Sequence, residues 1–100
     1  MWEKYHPIET IGSEGGTIIF DEEYQQTCRI TLEKCRDYYA ITCGVYGDMV
    51  HTAFCGEENY VETYQSIKDE LKNFVDNIYQ KDSLEGRSDF YRYLVEKYLD

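Results

Sequence analysis

From residue 17 onward the apolar positions fall into two periods, first two and then three-to-four. Thr17-Ile18-Ile19-Phe20 is a short β run, and Asp21-Glu22-Glu23 reads as the turn that ends it. Cys28, Ile30 and Leu32 alternate with Arg29, Thr31 and Glu33, the pattern of a strand with one wet face. After a turn at 34–37, Tyr39, Ile41, Cys43 and Val45 alternate with Tyr38, Ala40, Thr42, Gly44 and Tyr46. Gly47-Asp48 has the residues of a two-residue hairpin turn, and 49–55 returns as the last strand.

These turns imply a register. Closing the first hairpin with Lys34 opposite Asp37 pairs Leu32 with Tyr39, Ile30 with Ile41 and Cys28 with Cys43. Closing the second at Gly47-Asp48 pairs Val45 with Val50, Cys43 with Thr52 and Ile41 with Phe54. Both place the apolar residues on one face, and a slip of one residue would reverse it.

The period then lengthens. Tyr60, Tyr64, Ile67, Leu71, Phe74 and Ile78 predict a helix over 59–80, with Asn59 and Glu62 as a capping box. Phe90, Tyr91, Leu94, Val95 and Tyr98 predict a second over about 88–98, joined by a connector at 81–87. The expected fold is α+β: one domain over 1–100, with an N-terminal arm and Gly-rich loop (1–16), a four-stranded antiparallel meander (17–55) and two helices (59–99) packed on one sheet face.

Charge narrows the partners. Twenty acids against ten bases give −10, spread as −5 in each half. This disfavours nucleic-acid backbones and anionic membranes, and suits a basic protein partner. Segment 1–7 lacks the basic start and apolar stretch of a secretory signal, so the expected location is the cytoplasm, with free thiols. Eleven tyrosines are the compositional oddity, and such residues serve both core rims and binding surfaces.

Chemistry is sparse. The Gly12-Ser13-Glu14-Gly15-Gly16 loop lacks a phosphate-binding motif and carries an acid, so it reads as a turn. Cysteines 28, 35, 43 and 55 contain no Cys-x-x-Cys, and nothing in the spacing of His6 and His51 suggests a metal. Cys55, near a helix start and on the predicted strand face of His51, is the one candidate for a reactive thiol. Four residues along a strand span about 13 Å, however, too far for a nucleophile–base pair. No catalytic residue and no cofactor is expected.

With both helices on the Ile30/Ile41/Val45/Phe54 face, the reverse face is left with Tyr38, Thr42, Tyr46, Met49, His51 and Ala53, a flat surface poor in charge. The expectation is a non-enzymatic interaction module using that face, as a homodimer or against a basic partner. In size and charge alone it resembles bacterial immunity proteins that plug toxins. The alternatives are a small ligand-binding or cysteine-dependent enzyme, and a nucleic-acid mimic using a helix face of Glu58, Glu62, Asp69 and Asp76.

Overall fold

A computed structural model describes residues 2–4, 11, 14–25, 27–45, 47–78 and 84–99. Five strands, β1 (Trp2–Lys4), β2 (Thr17–Tyr24), β3 (Cys28–Lys34), β4 (Tyr39–Val45) and β5 (Val50–Cys55), form one sheet in sequence order. Every neighbouring pair is antiparallel. Two helices follow, α1 (Tyr60–Asn73), which runs into a π-helical turn at Phe74–Ile78, and α2 (Leu84–Tyr98). The α+β class and the meander are as expected. The fifth strand was not, because three residues are too few to show a period.

The acidic stretch after Phe20 does not turn. Strand β2 continues through Asp21-Glu22-Glu23 to Tyr24, because two of those charges find partners. Arg29 clamps Asp21 with two bonds of 2.9 and 2.8 Å, and Lys68 and the Tyr64 hydroxyl both donate to Glu22. Asn59 also departs from the capping box: it makes no side-chain cap, and its Oδ1 accepts the Gly56 N–H instead. Helix α2 begins four residues earlier than expected and takes Gly86 into its first turns.

Ile67 and Leu71 of α1 and Phe90 and Leu94 of α2 join Ile30, Leu32, Ile41 and Val45 in one buried cluster. The π-helical turn sets Phe74 flat against Phe90, with ring centroids 4.0 Å apart. Hydroxyl–carboxylate bonds reinforce this packing. At least seven of the eleven tyrosines donate to an acid, among them Tyr24 to Asp76, Tyr39 to Glu57 and Tyr91 to Asp48. Many of the tyrosines are thus coupled to acids, because a half-buried phenol needs an acceptor and a charge-assisted bond is a strong one. Burial and the Glu57 carboxylate push the Tyr39 phenol up to about 12.

The two hairpins differ from their expected registers. In the first, Lys34 faces Tyr39 and Ile30 faces Cys43, a shift of two that preserves the faces. Cys28 then opposes Val45 rather than Cys43, and all four cysteines are free. In the second, Tyr39 faces Cys55 and Ile41 faces Ala53, with a bulge before Thr42 faces His51. The shift of one turns Phe54 outward and brings Ala53 and Cys55 into the core, while the bulge buries Thr52 beside them.

Candidate functional site

The reverse face is partly roofed. The side chain of Glu33, 2% exposed, projects from β3 and accepts the backbone N–H of Glu14 at 3.0 Å and of Gly16 at 2.6 Å. The loop that lacks a phosphate motif therefore does cradle an anion, namely the chain's own carboxylate. Gly16 is required there, since a Cβ would collide with the Lys34 carbonyl oxygen. Arg29 lies over Asp21 on the same side of the sheet. Thr31 and Thr42 are buried as a result.

The β5 side of this face stays open. Phe54, His51 and Met49 form a row, with Phe54 44% and Met49 39% exposed and the His51 side chain 43% exposed. Tyr38 packs edge-on to Phe54 at 5.5 Å, and the His51 ring lies 6.3 Å from Phe54. Glu14 ties this end together, accepting from the Tyr38 hydroxyl at 3.0 Å and lying 3.5 Å from His51 Nε2. The hydrogen bond to Glu14, with Cys35 alongside, pushes the Tyr38 phenol above its ordinary range.

At the other end of the row lies a cavity of about 170 Å³, lined by Glu23, Arg29, Gly44, Asp48 and Met49 among others. The turn packs so closely on Gly44, one of the lining residues, that a Cβ there would overlap the Asp48 carbonyl. The turn closes through Asp48 N–H to the Val45 carbonyl, with Gly47 at φ +89°. Helix α2 holds it: Tyr91 and Arg87 both donate to Asp48 Oδ2, at 2.9 and 3.0 Å.

Of the expected surface residues, Tyr38, Met49 and His51 are thus brought together on one open face. Thr42 lies on that face but is buried, and Ala53 belongs to the core, being 1% exposed. Tyr46 lies outside the described residues. Sequence reasoning missed Phe54, Glu14 and Glu33. A glycine in mid-strand was the available signal for the cavity, because such a residue marks a close approach.

Cys55 is not placed for thiol chemistry. It is buried on the helix-facing side, whereas His51 lies on the reverse, and burial raises its thiol, partly offset by a hydrogen bond with Thr63. Burial also pushes the Cys28 and Cys43 thiols up to about 12, and burial with Glu33 nearby raises Cys35. Alkylation by iodoacetamide at pH 7.5, followed by mass spectrometry, should modify every cysteine of the folded protein more slowly than a free cysteine peptide. Cys55 labelling faster than that peptide would overturn this account. Among the described residues no group of three His, Cys, Asp or Glu side chains could hold a metal ion.

Glu58, before the start of α1, and Glu62 and Asp69 on it are exposed, but Asp76 is engaged by Lys72 and Tyr24 and does not extend their line. Among the described residues no helix is long and apolar enough to cross a membrane. No protein-family model matches the chain, and no curated protein and no solved structure is significantly similar to it.

Proposed function

We propose that the protein is a non-catalytic interaction module that binds a basic protein partner along the row Phe54–His51–Met49. The observation that carries this reading is the row itself. Three large side chains, an aromatic and an imidazole on β5 and a thioether just before it, stand half in solvent, with the bulge turning Phe54 outward and Glu14 beside His51. Aromatic residues and methionine are the types enriched at protein interfaces. The charge of −10 speeds the encounter with a basic partner and makes it sensitive to salt.

Selection from a random dodecamer display library tests this. Selected peptides should be rich in Arg or Lys, and their binding should weaken by about tenfold or more in Phe54→Ser, in line with the loss of a central apolar anchor. It should also weaken as salt rises from low to physiological strength. Peptides without cations, or binding indifferent to both Phe54→Ser and Met49→Ser, would refute the reading. A concentration-dependent solution mass that Phe54→Ser abolishes would instead make the partner a second copy.

A further inference from the structure

Met49 is the member of the row that carries oxidisable sulfur, and the fold leaves it in the open. It stands just before β5 and is 39% exposed. Its backbone is pinned there, because Asp48 beside it is held by Tyr91 and Arg87 and its own nitrogen lies close against Gly44. It also borders the cavity of about 170 Å³, which is space enough to admit a peroxide molecule. The chain's other methionine, Met1, lies outside the described residues.

The remaining sulfur is protected. Cys28, Cys43 and Cys55 are buried and Cys35 is half-buried. Peroxide attacks a thiolate, and burial raises all four thiols and keeps them protonated near neutral pH. A thioether has no proton to lose, so access to its sulfur governs the reaction.

We infer that Met49 is a peroxide-sensitive modification site, and that its conversion to the sulfoxide releases the basic partner from the row. This deepens the interaction reading and rests on it. The thioether sulfur attacks one peroxide oxygen, and the O–O bond breaks as the S–O bond forms. The proton on the bound oxygen passes to the departing hydroxide, which leaves as water. Sulfur loses two electrons and the peroxide gains them. A flexible apolar side chain thereby becomes polar. Its S–O dipole must then shed water before a partner can cover it.

Treatment of the full chain with hydrogen peroxide at pH 7.5, read by peptide mass mapping, tests the site. Met49 should gain one oxygen at a rate within about threefold of N-acetyl-methionine amide, and at least about tenfold faster than any cysteine is oxidised. A display-selected peptide free of methionine and cysteine then tests the switch, after the peroxide is removed. Its affinity for the oxidised protein should fall about tenfold with the melting curve unchanged, and should return after treatment with methionine sulfoxide reductases of both epimer specificities. Met49→Leu, which has no sulfur at this position, should lose no affinity on the same treatment. Met49 oxidising about tenfold more slowly than the free amide, or any cysteine oxidising first, would overturn the site. Equal loss of affinity in peroxide-treated Met49→Leu would place the effect elsewhere and overturn the switch. Unchanged affinity of the oxidised protein for a peptide that Phe54→Ser does release would remove the switch and leave the row standing. Failure to select any peptide that depends on Phe54 would remove the row and the switch with it.

Discussion

Glu33→Ala should destabilise the protein by about 2–4 kcal/mol, since it removes the charged acceptor of two backbone donors, and hydrogen bonds to a charged group contribute more than neutral ones. Those donors are the Glu14 and Gly16 N–H groups, which have a buried carboxylate as their acceptor. For a chain of this size the loss corresponds to a fall in Tm of about 10–25 °C. Hydrogen exchange gives the local signature: the Glu14 and Gly16 amides should lose protection in Glu33→Ala, ahead of the core strands. Glu33→Gln keeps one acceptor oxygen and should fall between wild type and alanine. Unchanged stability and unchanged protection of those two amides would show that the loop is held by something else. The same substitution should loosen the roof over Thr31 and Thr42 and so extend the open face.

Gly44→Ala is the second large effect, at about 3 kcal/mol, the upper range for forcing an atom into a packed site. A Cβ at this position overlaps the Asp48 carbonyl and comes within 3.1 Å of the Met49 nitrogen. The neighbour is backbone and cannot rotate aside, so the turn must move. Asp48 is also the anchor for Tyr91 and Arg87, and displacement of the turn pulls on both bonds to α2. Gly56→Ala is the control, because nothing lies within 4 Å of a Cβ there. It should stay within about 0.5 kcal/mol of wild type, as surface substitutions do. Equal stability of the two variants in denaturant melts would mean that the close approach at Gly44 is not a constraint.

Much of the fold was legible because apolar alternation is a local signal. Cys28/Ile30/Leu32 and Tyr39/Ile41/Cys43/Val45 each declare a strand and its inner face without reference to anything else. The stripes through Ile67 and Leu71 and through Phe90 and Leu94 do the same for the helices. The boundaries were less legible. Asp21-Glu22-Glu23 carries turn chemistry locally, yet Arg29, Lys68 and Tyr64 neutralise or hydrogen-bond two of its charges and the strand runs on.

Which side chains lie on the reverse face was legible only in part, for the same reason. Tyr38, Met49 and His51 lie on the expected side, whereas Ala53 was expected on the open face and Phe54 in the core. The period of a strand is two, so an error of one in register exchanges its faces completely. The error arises at the bulge between Ile41 and Thr42: on its turn side Thr42 faces His51, an offset of two that preserves the faces, whereas beyond it Ile41 faces Ala53, an offset of one that exchanges them. At the turn, the Val45 N–H donates to the Tyr91 hydroxyl at 2.9 Å. Asp48, held by the same hydroxyl, fixes a turn that starts one residue earlier than the hairpin rule suggests.

The amino-acid order alone therefore determined four of the five strands and both helices, which side of β3 and β4 is apolar, and that the molecule carries a strong negative charge. These properties depend on neighbours two to four positions away. Which side of β5 faces out was decided by the bulge in its pairing with β4, and what covers Glu33 and how the Asp48 turn is held were decided by contacts between residues 17 to 46 positions apart, Gly16 with Glu33 and Val45 with Tyr91. Such contacts form only when helix, loop and sheet are assembled, and no local pattern encodes them.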